Sequence, residues 1–248
     1  MSLARQNIPF LGVDATPLTV DGLVEVLSGF VDDGTRRTVV GHNLHSVTLT
    51  HSGAGFRSLY ENSDVVLLDG APVLWLWGRT GNAVSSLMDY RLGSTDWLPS
   101  LGLVDGLERI AVVGAGTEAN AKAVTRLQGI APAASVTGFP GEGWNDDVET
   151  AAVGWLVEQQ PQLVLLGLGM PLQESVLQRR LDMLPPAIYC PVGGALSARA
   201  GLQNLAPRWL GEPGLVGAAP WAGACRTTAG CKGQRSTWLG WVFGTASS

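Results

Sequence analysis

Short apolar runs alternate with longer amphipathic segments along most of the chain. The runs are rich in Val, Leu and Ile and lack polar alternation, which is typical of strands buried on both faces of a sheet. The strands predicted from these runs are 37–41, 64–68, 109–113, 134–137, 163–167 and 187–191. The helices predicted between them are 46–61, 72–78, 118–127, 147–159 and 171–184. This alternation predicts an α/β fold, in which a mostly parallel sheet carries helices on both faces.

The composition of the 248-residue chain narrows the class of protein. The length fits one α/β domain with a sizeable core. Only 15% of the residues are charged, and the mean hydropathy is +0.19. No run reaches the roughly 18 apolar residues of a membrane span, and the first residues lack the apolar core of a secretory signal. We therefore expect a cytoplasmic protein.

Two further counts exclude other classes. The net charge of −5 argues against a nucleic-acid-binding protein, because such proteins neutralise phosphates with basic residues. Cys190, Cys225 and Cys231 show neither a metal-ligand spacing nor a disulfide framework. No Asp-x-Asp motif is present, so the sequence predicts no metal site.

Residues 163–174, LVLLGLGMPLQE, are the most informative segment of the chain. An apolar run ends in glycines, and Pro171 then suits the first position of a helix. Gln173 and Glu174 place an amide and a carboxylate in the first helical turn, at the sheet edge where open α/β folds bind ligands. The alternative is an ordinary strand-to-helix turn in which the acidic residue favours the helix dipole.

Polar residues also follow two earlier strands. Asp69 comes after the run VVLL and before Gly70. A partly desolvated carboxylate there would have a raised pKa and could remove a proton, although an aspartate at this position could equally cap the next helix. Asn43 follows the strand that ends near Gly41 and could be a simple turn former.

Several segments, taken in order, resemble the WecG/TagA/CpsF bacterial glycosyltransferases (glycosyltransferase family 26) over roughly residues 10–215. The matching segments are VVGHNLHSV, SDVVLLDGAPV, RLGSTDW, IAVVGAG, GMPLQE and PVGGALSARAGLQNLAPRWL. The chain departs from the family pattern at Gly93, which falls one position early, and at Gly41, where a threonine is common.

The resemblance implies a Rossmann-like fold and a metal-independent, inverting glycosyltransferase without a cofactor. The donor would be a UDP-sugar, and the acceptor would be a polyprenyl-diphosphate-linked sugar at the inner face of the cytoplasmic membrane. The product would enter a cell-surface polysaccharide, such as an exopolysaccharide; no nucleic acid is involved, and a homo-oligomer is left open. Asp69 would be the catalytic base. The substrate-binding residues implied are Asn43, Gly70, Arg91, Gly169, Gln173, Glu174, Gly193 and Gly194.

The sequence leaves two alternatives to a glycosyltransferase. The segment VVGAGTEAN, with Gly114 and Gly116, is typical of the start of a dinucleotide-binding turn and would fit an NAD(P)-binding oxidoreductase. However, its third glycine is missing, and no acidic residue ends a strand about 20 residues later. The other alternative is a non-catalytic nucleotide-sugar-binding protein.

The sequence predicts a glycosyltransferase domain over residues 1–215 and a divergent tail over 216–248. The tail is rich in Gly, Ala and Thr, whereas the family continues into a basic helical appendage. True divergence, a membrane-contacting tail that uses Trp221, Trp238 and Trp241, and a reading-frame error each explain this change. We expect a poorly packed tail and weak catalysis.

Overall fold

A computed structural model describes residues 3–81 and 84–196 of the chain. The predicted tail, 216–248, and the Ala-Pro-x-Trp segment that precedes it lie outside the described residues. The domain division at residue 215 therefore stays a prediction.

The described part contains eight strands and eight α-helices. The strands are β1 (Gln6–Ile8), β2 (Val13–Ala15), β3 (Arg37–His42), β4 (Val65–Leu68), β5 (Arg109–Gly114), β6 (Ser135–Phe139), β7 (Leu163–Gly167) and β8 (Ile188–Pro191). The helices are α1 (Val20–Asp33), α2 (Leu44–Ser52), α3 (Ala54–Asn62), α4 (Ala71–Gly78), α5 (Ser94–Trp97), α6 (Thr117–Ile130), α7 (Asp146–Gln159) and α8 (Leu172–Arg180). Short 3₁₀ turns cover Leu87–Tyr90, Leu98–Leu103 and Leu181–Met183.

Six strands form one parallel sheet in the order β4-β3-β8-β7-β5-β6. Alternate residues of its central strands face opposite helical layers. In β7, Leu163 and Leu165 pack in the same core as residues of α1 and α6, whereas Val164 and Leu166 pack with residues of α7 and α8. The α/β fold with a parallel sheet and helices on both faces, predicted from the apolar runs, is therefore confirmed.

The structure differs from the predicted elements in several places. The helix predicted at 171–184 is α8, which ends at Arg180 and is followed by a 3₁₀ turn, and α5 was not predicted. The helix predicted at 46–61 is split into α2 and α3 at Gly53. Its backbone N–H makes the last helical bond, to the carbonyl of Leu49, and its extended backbone (φ −145°, ψ 125°) ends the first helix. No element was predicted before Arg37, yet β1 and β2 form an antiparallel hairpin there, and α1 follows. Thr19 caps the start of α1, and Gly34 ends it with a φ of 62°.

The strand order places four carboxyl ends side by side. The chain passes from β3 outward to β4 at one edge of the sheet, and from β5 outward to β6 at the other edge. The later strands β7 and β8 fill the space between β3 and β5. Open α/β sheets bind ligands outside the carboxyl ends of their strands where the winding direction reverses, so this edge is where a site is expected.

Candidate active site

A cavity of about 260 Å³ lies at the carboxyl ends of β3, β4, β7 and β8. Seven residues that the sequence singled out line it: Asn43, Asp69, Gly169, Gln173, Glu174, Gly193 and Gly194. Gly70 and Arg91 are not among the lining residues of this cavity. The seven residues that do line the cavity come from segments far apart in the chain.

Asp69 directly follows β4, whose four residues are all buried. Its backbone N–H donates to the carbonyl of His42 at 2.9 Å, which fixes Asp69 beside the end of β3. The capping role considered for Asp69 is not observed, because Gly70 is the N-cap of α4 and no side chain caps that helix. Gly70 has a φ of 102°, which a residue with a Cβ rarely adopts. The carboxylate of Asp69 is thus left to face the cavity.

Asn43 caps α2 and contacts Asp69 with the same side chain. Its Oδ1 accepts from the backbone N–H of Ser46 at 3.0 Å, and Ser46 Oγ accepts from the backbone N–H of Asn43 at 2.9 Å. Because the cap uses the oxygen of the amide, Nδ2 is the end that donates to Asp69 Oδ2, at 3.3 Å. Asn43 therefore has both of the roles considered from the sequence: it forms the turn before α2, and it contributes to the cavity.

The segment between β4 and α5 lies against the carboxylate of Asp69. The backbone N–H of Leu92 donates to the carbonyl of Leu68 at 2.9 Å. A Cβ added at Gly93 would lie 2.7 Å from Asp69 Oδ1, so only a glycine fits there without a shift. Arg91 forms an ion pair with Asp96 at 3.9 Å.

Burial raises the pKa of Asp69 from 3.8 to about 6. The negative charge of Asp96 also raises this pKa, whereas the hydrogen bond from Asn43 and the positive charge of Arg91 lower it. A carboxyl group with such a pKa is mostly ionised at neutral pH and is a stronger base than an ordinary aspartate. The site therefore contains a candidate general base, on which Arg91 acts through its charge.

The opposite wall is formed by the start of α8 and the turn after β8. Gln173 Oε1 accepts from the backbone N–H of Gly193 at 3.1 Å, and Gln173 Nε2 donates to Glu174 Oε1 at 2.9 Å. Glu174 exposes 1% of its surface, and burial raises the pKa of its carboxyl group. Gly169 precedes the helix with a φ of 80°. Gln173 thus joins α8 to the turn after β8 in the wall of the cavity.

Several lining residues were not predicted from the sequence. Tyr60 reaches the cavity from α3, and its hydroxyl donates to the carbonyl of Gly41 at 3.2 Å while its ring stacks on His42 at 4.5 Å. His45 and Trp97 also line the cavity. His45 could have been found from its position two residues after Asn43, but no motif marks Tyr60 or Trp97.

The glycine turn of the oxidoreductase alternative is packed against protein. A Cβ added at Gly114 would lie 2.7 Å from the backbone carbon of Gly167, and one added at Gly141 would lie 2.8 Å from the Cα of Gly114. The N–H of Ala115 donates to the carbonyl of Gly167 at 2.9 Å. Gly114 and Gly141 permit close packing of β5 and β7 with the loop after β6, whereas a Cβ added at Gly116 would meet nothing within 4 Å.

Two kinds of feature are absent from the described residues: a metal-ligand cluster and a membrane-spanning helix. Within 3–81 and 84–196, no group of three His, Cys, Asp or Glu side chains is placed to hold a metal ion. None of the helices in those ranges is both long and apolar enough to cross a bilayer.

These features define an α/β protein with a ligand cavity at the carboxyl edge of its sheet and a candidate general base inside that cavity. The chain belongs to the glycosyl transferase WecG/TagA/CpsF family, whose model matches residues 8–217. The family resemblance inferred from the motifs is therefore confirmed.

The chain is also similar to a protein of Bacillus subtilis (strain 168), N-acetylglucosaminyldiphosphoundecaprenol N-acetyl-beta-D-mannosaminyltransferase. The two are 24% identical over 152 residues, and the match covers 60% of this chain. It spans 57% of the relative, which is less than two thirds of that protein's length.

Proposed function

We propose that this protein is an inverting glycosyltransferase that moves a sugar from a UDP-sugar to a polyprenyl-diphosphate-linked saccharide. The observation that carries the proposal is the carboxylate of Asp69, which faces the cavity at the end of β4 with a pKa of about 6. Membership of the glycosyl transferase family supports the reaction class. The name of the Bacillus subtilis relative supports a lipid diphosphate acceptor that carries a sugar.

Asp69 acts as the general base in this mechanism. It removes the proton from the acceptor hydroxyl, and that oxygen forms a bond to the anomeric carbon of the donor. The bond between the anomeric carbon and the diphosphate breaks as the new bond forms, so UDP leaves and the configuration inverts. Asn43 Nδ2 donates to Asp69 Oδ2 and holds the carboxylate in position to take the proton.

The remaining wall serves the donor in this proposal. The N-terminal turn of α8 and Gly169 border the cavity, and a helix start attracts negatively charged groups such as a diphosphate. The turn with Gly193 and Gly194 leaves room for the nucleotide. A polyprenyl acceptor is anchored in a bilayer, so we place the protein at the inner face of the cytoplasmic membrane, where its product enters a cell-surface polysaccharide.

A turnover assay tests the proposal. The full-length chain is incubated with a short-chain polyprenyl-diphosphate N-acetylglucosamine and each of several UDP-sugars, and the release of UDP and the glycosylated lipid are measured. We expect one or more UDP-sugars to give product, and Asp69→Asn to give almost none. Binding of UDP-sugars without product would favour the non-catalytic alternative, and thermal stabilisation by NAD(P) alone would favour the oxidoreductase.

A further inference from the structure

One oxygen atom of the cavity wall is buried and has no hydrogen-bond partner. Glu174 Oε2 has less than 1 Å² of accessible surface, and no donor among the described residues reaches it. The other carboxyl oxygen, Oε1, accepts from Gln173. Buried polar atoms are normally hydrogen-bonded, and an unpaired one in a cavity wall suggests that a ligand completes it.

Gln173, in contrast, already uses both ends of its amide. Its oxygen accepts from the N–H of Gly193, and its nitrogen donates to Glu174. The side chain is also buried, with 3% of its surface exposed. Of the two adjacent residues, Glu174 therefore has the buried atom without a hydrogen-bond partner among the described residues, and Gln173 holds its other oxygen in position.

The described lining of the cavity carries few ionisable groups. The described lining contains two carboxyl groups, those of Asp69 and Glu174, and neither Lys nor Arg. From α3, Tyr60 faces the cavity as a neutral phenol whose pKa is raised, above all by burial. His45 also lines the cavity.

Other charged groups on the neighbouring elements are engaged elsewhere. Arg91, which is outside the described lining, pairs with Asp96 at 3.9 Å. On α8 itself, Arg179 and Arg180 pair with Glu149 of α7, at 2.7 and 2.8 Å. On α3, Arg57 donates to the carbonyl of Thr50 at 3.2 Å. Burial raises the pKa of Glu174 and outweighs the hydrogen bonds from Gln173 and from the backbone N–H of Glu174, which lower it.

We propose that Glu174 is a neutral carboxylic acid in this site and that its Oε2–H donates a hydrogen bond to a diphosphate oxygen of the nucleotide donor. A nucleotide diphosphate brings negative charge into a cavity whose described lining has no basic side chain, so a second carboxylate in the wall would repel it. A neutral carboxyl group removes that repulsion and supplies a short donor to an anionic oxygen. This proposal rests on the UDP-sugar donor proposed above and names the group that binds its diphosphate.

The test uses UDP as the probe and calorimetric titration of the full-length chain from pH 5 to pH 9. All proteins carry Asp69→Asn, so that Asp69 does not titrate. The protein that keeps Glu174 is compared with Glu174→Gln, which has the same shape and keeps a donor, and with Glu174→Ala, which does not. Ionisation of UDP is common to the three proteins and cancels in the comparison.

At pH 5 we expect the protein that keeps Glu174 and the Glu174→Gln variant to bind UDP within about threefold of each other. The Glu174→Ala variant should bind at least about tenfold more weakly. As the pH rises through the pKa of Glu174, the protein with Glu174 should lose affinity relative to Glu174→Gln, by up to about tenfold per pH unit. Uridine, which lacks the diphosphate, should show none of these differences.

Three results would overturn the proposal. Glu174→Gln could bind UDP as weakly as Glu174→Ala at pH 5, or Glu174→Ala could bind as tightly as Glu174→Gln. Uridine could reproduce the pattern, which would place the contact on the nucleoside. If UDP binds to none of these proteins, the UDP-sugar donor of the proposed function fails as well, whereas UDP binding that is indifferent to residue 174 contradicts this inference alone.

Discussion

The substitution Asp69→Asn removes the carboxylate from the cavity and keeps the size of the side chain. With a pKa of about 6, Asp69 is a base about two powers of ten stronger than an ordinary aspartate, and it is still mostly ionised at pH 7. A general base contributes about 10²–10⁴ in rate. We therefore expect kcat to fall by that factor, which corresponds to about 3–5 kcal/mol of transition-state stabilisation.

The same pKa predicts the opposite effect on stability. Asp69 should titrate near 3.8 in the unfolded chain and near 6 in the folded protein, so the folded protein holds the extra proton between these values. The ionised carboxylate then destabilises the fold by about 3 kcal/mol above pH 6, by less between pH 4 and pH 6, and not at all below about pH 4. Asp69→Asn should therefore raise the free energy of unfolding at pH 8 by up to this amount and leave it unchanged at pH 4.

Two measurements on the same preparations check this reasoning. Turnover from pH 5 to pH 9 should show an acidic limb near pH 6 in kcat/KM of the wild type, and urea unfolding at pH 4 and pH 8 should show the stability difference. Asp105→Asn, at an exposed carboxylate outside the cavity, is the matched control and should change neither quantity. Wild-type turnover in Asp69→Asn would remove Asp69 from the mechanism. An inactive variant that is less stable than wild type at pH 8 would refute burial as the cause of the raised pKa.

The remaining predictions concern the residues and segments around this base. Gly93→Ala should lower kcat at least about tenfold, because its Cβ would lie 2.7 Å from Asp69 Oδ1; Gly129→Ala, whose Cβ meets nothing within 4 Å, is the control and should not. Equal activity of the two variants would contradict the close packing at Gly93. Gln173→Ala should raise KM for the UDP-sugar more than it lowers kcat, because the variant frees the Gly193 turn in the ground state and the transition state alike. An unchanged KM would argue against a place for Gln173 in the donor pocket. Turnover should survive EDTA, as the family resemblance implies, and a loss restored by Mg²⁺ or Mn²⁺ would contradict a metal-independent reaction. Limited proteolysis should cut after about residue 215 and leave the preceding body intact, and turnover as encoded should be weak; a tail as resistant as the body, in an enzyme of normal turnover, would contradict this.

The fold and part of the candidate site follow from rules that act within short segments. The strand at 163–167 matches β7 in both bounds, because an uninterrupted apolar run between turn residues has few other solutions. Asp69 and Asn43 could be placed together because parallel strands end at the same sheet edge. Gln173 and Glu174 follow from the same rule applied to β7.

Other parts of the site depend on long-range packing that no short segment specifies. Tyr60 lies in α3 among residues of ordinary amphipathic spacing, and only the packing of that helix beneath β3 brings its hydroxyl to Gly41. The break at Gly53 was not predicted either, because a single glycine inside a helical pattern often costs only about 1 kcal/mol and is tolerated. The hydrogen bond from the backbone N–H of Gly193 to Gln173 Oε1 joins residues 20 positions apart, and the local sequence does not identify them as neighbours.

The motif that contains Arg91 does not specify which residue this arginine pairs with. The resemblance implies that Arg91 binds substrate, whereas the structure places it outside the described lining of the cavity and close enough for its charge to lower the pKa of Asp69. A direct ion pair between the two would lower that pKa by about one to three units and weaken the base. Asp96 instead pairs with Arg91 at 3.9 Å, and its own negative charge raises the pKa of Asp69. The pair therefore keeps a positive charge near the cavity while Asp69 stays basic enough to accept a proton near neutral pH.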